Sequence, residues 1–349
     1  MNYTQAKQLL AANGQQQLLE YYEELNEEQR ASLLSDIEKT DFSVLENLHS
    51  EYSKTLGKLS PADALSVEDI AKDKEEYEKL GLAALRAGKV GAVLLAGGQG
   101  TRLGLSLPKG MYNIGINRTL TIFEQQMNNI KQVTDKAGCM FHLFVMTSDL
   151  NDAATRAYFK DSNYFGYDPS KIHFYEQKLA PACSKEGKIY LDQKYKVSMS
   201  PNGNGGWYSS LVEAGYDKLL KSEGIEWLNI YAVDNVLQRI CDPVFIGATI
   251  KSGCACSGKV VKKVAPEERV GVLCKEDGLP TIVEYYEMPP ELAAMRDEDG
   301  QLTYRYGVIL NYLFSVDVLN KIYKDKLPCH LAFKAIPHIE NGIRVTPSE

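Results

Sequence analysis

Hydrophobic positions change their spacing near residue 90. Before it, Leu9, Leu10, Leu18, Leu19, Leu33, Leu34 and Ile37 recur at helical intervals among Glu, Gln and Lys, with few glycines. Asn26 with Gln29 three residues later is a capping-box pattern, and Asp41 is placed to cap a further helix through Val44 and Leu45. Leu59-Ser60-Pro61-Ala62 reads as a linker or helix start, and Ser66 to Ala87 is again helical and strongly charged. From Gly91 the apolar residues gather in short runs instead: Ala92–Ala96, Phe141–Thr147, Lys171–Tyr175 and Trp227–Val233. Such runs suit strands buried on both faces of a parallel sheet. Helical stretches lie between them at Thr121–Ala137, Asn151–Phe159 and Tyr208–Leu220. The organisation expected is a helical N-terminal region, 1–90, and then an α/β domain, 91–349.

Beyond the fourth run, Lys259–Val264 alternates like a half-exposed strand. Gly271–Cys274 and Thr281–Tyr285 read as a hairpin turning at Asp277-Gly278. In an open α/β sheet, ligands bind beyond the carboxyl ends of the strands. That rule directs attention to the residues at the exit of each run: Gly97-Gly98, Ser148-Asp149, Glu176-Gln177 and Asp234-Asn235.

Composition narrows the class. The chain has 349 residues, 44% hydrophobic and 24% charged, with a net charge of −7. This is ordinary for a globular protein, and the negative sign argues against nonspecific binding to nucleic acid or an anionic membrane. No apolar run approaches the length of a membrane span. Seven cysteines without a framework spacing point to free thiols and a cytoplasmic setting. Cys254 and Cys256 are too close together for the usual Cys-x-x-Cys metal spacing and read as packing residues. The five histidines are scattered without metal-ligand spacing.

The first run carries the chemistry. Leu95-Ala96 passes into Gly97-Gly98-Gln99-Gly100-Thr101-Arg102-Leu103-Gly104, then Pro108-Lys109-Gly110. Glycines let backbone N–H groups approach an anion, and Arg102 and Lys109 add fixed positive charge. Two familiar phosphate motifs are excluded. A P-loop needs Gly-Lys-Ser/Thr, and Gly104 is followed by Leu105-Ser106. A dinucleotide fingerprint needs a third glycine one place earlier than Gly104. Asp234, at a strand end, has the chemistry and the place of a Mg²⁺ holder.

The stretch Leu95–Gly104 with Pro108-Lys109-Gly110-Met111-Tyr112 resembles the signature of eukaryotic UDP-N-acetylglucosamine pyrophosphorylases, and the similarity runs to about Pro337. The resemblance implies a Rossmann-like nucleotidyltransferase sheet flanked by helices, with a helical N-terminal region. It implies UTP and a sugar 1-phosphate as small-molecule substrates, with Mg²⁺ as cofactor. Leu95, Ala96, Gly97, Gly98, Gln177 and Gly203 would bind the nucleotide, Gln177 meeting the uracil edge with an amide that can both donate and accept. Arg102 and Lys109 would act on the phosphates and Asp234 on the metal. Asn204, Gly271, Glu284, Tyr285 and Asn311 would bind the sugar; Glu284-Tyr285-Tyr286-Glu287 resembles the family's Glu-Tyr-Ser-Glu, whose carboxylate can take sugar hydroxyls.

The chain departs from that pattern at Lys178, where the family usually has glycine, and at Val308, where it generally has a sugar-binding asparagine. The family also continues past the position of Glu349 through another helix and strand and a small β domain, so a truncated catalytic domain is expected. Two rival readings stand beside N-acetylglucosamine 1-phosphate uridylyl transfer: the same reaction on glucose or galactose 1-phosphate, and a UDP-sugar-binding protein without turnover.

Overall fold

A computed structural model of the chain describes residues 1–48, 56–98, 107–324 and 335–347. They form two compact units. One comprises 1–54, 178–206 and 325–349; the other comprises 55–177 and 207–324.

In the first unit, helices Tyr3–Ala12 and Glu27–Lys39 each begin with a capping box, Asn2 with Gln5 and Asn26 with Gln29. Their inward faces bury Leu10, Leu33 and Ile37 together with Leu18, Ile189, Leu191 and Val197. The last three come from a segment more than 150 residues away. Buried Gln15 joins the same segment: its Nε2 donates to Gly187 O at 2.8 Å and its Oε1 accepts from Ile189 N at 2.9 Å. The helical region therefore ends before residue 90 and draws in 178–206, a division that local periodicity does not reveal.

The second unit is built on a nine-stranded mixed sheet. Its strands are β1 Leu59–Pro61, β2 Val90–Leu95, β3 Leu143–Thr147, β4 Ile172–Glu176, β5 Trp227–Ala232, β6 Cys256–Lys262, β7 Val272–Glu276, β8 Leu279–Val283 and β9 Tyr306–Ser315. The order is β1-β7-β9-β5-β2-β3-β4, with β6 paired to β9 and β8 to β7. β5, β2, β3 and β4 are parallel; the others join antiparallel. β2 and β3 are buried at every position, as their unbroken apolar runs require.

Helices cover this parallel core. Ile122–Ala137 starts at Thr121, whose side chain caps Glu124 N, and stops at Gly138 with φ 71°. It packs Phe123, Met127, Ile130 and Val133 into the core. Helix Lys74–Arg86 lies against helix Pro243–Ser252 so closely that a Cβ at Gly81 or Gly247 would collide with the backbone of Pro243 or Tyr77. Residues 74–86 thus belong with the sheet.

Three local expectations are corrected. Leu59-Ser60-Pro61 is an edge strand paired with Cys274–Glu276, a place where proline is tolerated. The 208–220 helix is two helices, Trp207–Glu213 and Tyr216–Ser222, broken at Gly215 with φ 82°. Cys254 and Cys256 are exposed rather than packed. The Asp277-Gly278 hairpin is present as expected, with both residues at positive φ, 50° and 84°, the geometry of a two-residue I′ turn. No helix among the described residues is long and apolar enough to cross a membrane.

Candidate functional site

Parallel strands β2 and β5 lie side by side in the sheet, although β2 is followed in the chain by β3 on its other flank. The strand order reverses between them, and the crevice at such a switch point is where open α/β sheets take ligands. Leu95 pairs with Ala232, so the glycine turn after β2 and Asp234 after β5 leave the sheet next to each other.

The two turns are bridged by an ion pair: Lys109 Nζ lies 2.5 Å from Asp234 Oδ1, with the Asp234 side chain 61% exposed. Lys109 is placed by packing around its neighbour. A Cβ at Gly110 would collide with the Phe123 ring, so the Lys109–Met111 turn fits over that ring only with glycine there. An exposed pair of this kind contributes about 0–1 kcal/mol to stability. It can therefore open at little cost when an anion or cation competes.

On the other flank, β4 delivers Gln177, which is 8% exposed. Its backbone N–H donates to Thr147 O at 2.9 Å. A Cβ at Gly97 would collide with Gln177 Nε2 and come within 2.8 Å of its Cδ. Gly97 and the Gln177 amide are therefore in direct contact, whereas among the described residues nothing lies within 4 Å of the corresponding point at Gly98. Leu95 and Ala96 are buried beneath the turn. Arg102 lies outside the described residues.

Asn151, which sequence reasoning does not single out, holds this turn from below. It is 1% exposed. Its Nδ2 donates to Ala96 O at 2.9 Å and Gly98 O at 3.4 Å, and its Oδ1 accepts from Ser148 N at 2.8 Å. It precedes helix Asp152–Asp161 but makes no side-chain cap to it. The available signal is an asparagine at a strand-to-helix junction, which by itself marks only a helix start.

The expected sugar residues fall in two groups. Gly271, Glu284 and Val308 converge: a Cβ at Gly271 would stand 3.2 Å from Val308 Cγ2 and 3.5 Å from Glu284 Oε1, and Val308 N donates to Gly271 O at 2.9 Å. Tyr285 beside them is 44% exposed and meets Tyr286 edge-on at 5.2 Å. Gly203, with φ 75°, and Asn204 belong to the other unit and are exposed.

Asn311 lies inside the sheet. It is fully buried; its Oδ1 accepts from Asn229 at 2.9 Å and its Nδ2 donates to Gln238 at 3.1 Å. β9 is kinked just before it, with Leu310 at φ 50° and a register shift against β6. Such irregularities re-aim side chains, and here Asn311 turns into the sheet interior.

Comparison with known proteins shows the family. The family model described as UTP–glucose-1-phosphate uridylyltransferase matches residues 42–339. The mouse UDP-N-acetylhexosamine pyrophosphorylase-like protein 1 is 37% identical over 96% of this chain and 71% of its own. The UDP-N-acetylglucosamine pyrophosphorylase of Saccharomyces cerevisiae is 36% identical over 99% of this chain and 78% of its own. Among solved structures, the UDP-N-acetylglucosamine pyrophosphorylase of Trypanosoma brucei, in complex with an inhibitor, superposes with a TM-score of 0.83 at 29% identity, covering 95% of this chain and 70% of that one.

Proposed function

The chain belongs to the UTP–glucose-1-phosphate uridylyltransferase family, and on that premise we propose that it makes UDP-N-acetylglucosamine and pyrophosphate from UTP and N-acetylglucosamine 1-phosphate. The observation that carries the reading is the Lys109–Asp234 pair at the switch point between β2 and β5. It sets a cation and a carboxylate beside a glycine turn, which is what a triphosphate with its counterion needs.

In the reaction, a phosphate oxygen of the sugar 1-phosphate attacks the α-phosphorus of UTP. A new P–O bond forms as the bond to the β-phosphate breaks, and pyrophosphate leaves. The attacking oxygen is already anionic, so positioning and charge stabilisation do the work and no general base is needed. Gln177, backed by Gly97, reads the uracil edge, and the backbone of Gly97 and Gly98 lies along the nucleotide. Lys109 leaves Asp234 for the phosphates, and Arg102 adds a second charge. Glu284, Tyr285 and Gly271 hold the sugar.

Asp234 fits Mg²⁺. Its carboxylate is an exposed oxygen donor, and Mg²⁺ bound through one or two carboxylates keeps its remaining positions for water and substrate phosphates. When bound, the ion neutralises charge on the phosphates of both substrates.

A second reading, glucose or galactose 1-phosphate as acceptor, is favoured by one feature. Val308 puts an apolar side chain beside Gly271 and Glu284 where the resemblance expects an amide.

Pyrophosphate release from UTP, Mg²⁺ and N-acetylglucosamine 1-phosphate tests the proposal together with Lys109→Ala and Asp234→Asn. Each charge is worth about 2–4 kcal/mol in sites of this kind, so Lys109→Ala should lower kcat/KM by at least about tenfold. Asp234→Asn should raise the Mg²⁺ concentration needed. Unchanged kinetics in both variants would remove the site from the switch point.

A further inference from the structure

The segment after β5 leaves the sheet, and side-chain amides take its carbonyl groups. Gln126 Nε2 donates to Ala232 O at 3.2 Å and Val233 O at 3.0 Å. Three residues on, along the same face of the helix, Asn129 Nδ2 donates to Val236 O at 2.9 Å and Gln238 O at 3.2 Å. Gln238 Nε2 returns to Ala232 O at 3.0 Å, and its Oε1 accepts from Asn311. Asn311 in turn accepts from Asn229, whose own Oδ1 accepts from Cys241 N at 2.7 Å. The segment from Ala232 to Cys241 is thus tied at both ends and in the middle, with Asp234 between the anchors.

Two features mark this as more than the filling of a core. Gln126 is 1% exposed on a helix face otherwise occupied by Ile122, Phe123, Met127 and Ile130. Its Oε1 is buried with no hydrogen-bond partner among the described residues. An unpaired buried acceptor is unfavourable, so the side chain is set there by its two donors. Asp234, by contrast, has a largely exposed side chain whose ion pair is with the long, flexible side chain of Lys109. Packing does not aim its carboxylate; the backbone beneath it must.

We infer that Gln126 and Asn129 are positioning residues, which fix the direction of the Asp234 carboxylate through the carbonyls of Ala232, Val233, Val236 and Gln238. The inference rests on the reading of Asp234 as the Mg²⁺-facing carboxylate. Groups that orient a metal ligand from behind commonly change metal affinity by about 10–100-fold when removed.

The test uses Mn²⁺ as a spectroscopic probe. Its affinity in the presence of UTP is measured by electron paramagnetic resonance for the unmodified protein, Asp234→Asn, Gln126→Leu and Asn129→Ala. Hydrogen exchange across 232–241 is followed in the same samples. Asn129 is less buried than Gln126, so its variant stays informative if Gln126→Leu does not fold. Both amide variants should bind Mn²⁺ about tenfold more weakly, with exchange across 232–241 about tenfold faster and exchange in β2 and β3 unchanged. Weaker binding in Asp234→Asn alone, with both amide variants like the unmodified protein, overturns the positioning role. Unchanged binding in Asp234→Asn overturns the metal assignment instead. The exchange data then decide the positioning role: faster exchange across 232–241 supports it and unchanged exchange overturns it.

Discussion

Gly97→Ala isolates the contact on which uridine selection depends. The added Cβ collides with Gln177 Nε2 and comes within 2.8 Å of Cδ. The obstructed atoms are the far end of a flexible side chain, so the backbone need not move and Gln177 can swing aside. An off-rotamer side chain costs about 0.5–1.5 kcal/mol, and the melting temperature should fall by no more than about 4 °C per kcal/mol lost. The functional cost is larger, because the displaced amide no longer meets the base. Losing a buried, matched hydrogen-bonding group costs about 1–3 kcal/mol, or about 5–150-fold in kcat/KM for UTP. The assay is a double-mutant cycle of Gly97→Ala with Gln177→Ala, read as kcat/KM for UTP and as preference for UTP over CTP. If Gly97 acts through Gln177, the second substitution adds little to the first. Gly98→Ala is the control, since no atom of the described residues lies within 4 Å of its Cβ; it should raise the KM for UTP while leaving stability and the UTP/CTP preference alone. Additive effects of Gly97→Ala and Gln177→Ala would refute the reasoning.

The geometry predicts two further outcomes. Val308→Asn places an amide beside Gly271 and Glu284 and should raise the preference for N-acetylglucosamine 1-phosphate over glucose 1-phosphate, because the wrong sugar would leave that amide unpaired; an unchanged ratio of kcat/KM values would take position 308 out of the sugar site. At the opposite edge of the sheet, His142 Nδ1 lies 2.8 Å from His173 Nε2, with Lys171 and Glu223 against His142. Burial, His142 and Lys171 hold His173 down at about 4, and burial with Lys171 lowers His142. The unfolded chain binds the proton first, so this stability is complete above about pH 6.5 and is lost as pH falls toward 4. The loss for His173 is about 3 kcal/mol at most, and the His173→Phe variant should melt with a shallower dependence between pH 6.5 and 4 than the unmodified protein; identical slopes would contradict the linkage.

How much of this was legible in the sequence depended on whether the cause was local. Strands β2 and β3 showed as unbroken apolar runs because both of their faces are covered. The hairpin showed because Asp277-Gly278 is itself the turn, and the helix after Thr121 because its cap and its buried face are adjacent. The reading of Gln177 comes from the family resemblance, and that of Asp234 from its place at a strand end together with the same resemblance. Leu59–Pro61 was invisible as a strand, since its partner lies more than 200 residues away and three residues carry no period. The attachment of 178–206 to the helical region was hidden for the same reason. The burial of Asn311 was not legible, because spacing cannot show that a kink at Leu310 turns a side chain inward. Gln126 did leave a signal, an amide among the apolar Phe123, Met127 and Ile130 of its helix, but only the carbonyls of Ala232 and Val233 give it a meaning.

Pyrophosphorolysis tests the central claim most directly. The chain is incubated with Mg²⁺, pyrophosphate and either UDP-N-acetylglucosamine, UDP-glucose or UDP-galactose, and UTP formation is followed. The account predicts Mg²⁺-dependent UTP formation, fastest from UDP-N-acetylglucosamine and lost on Lys109→Ala. Binding of the UDP-sugars without UTP formation from any of them would contradict it.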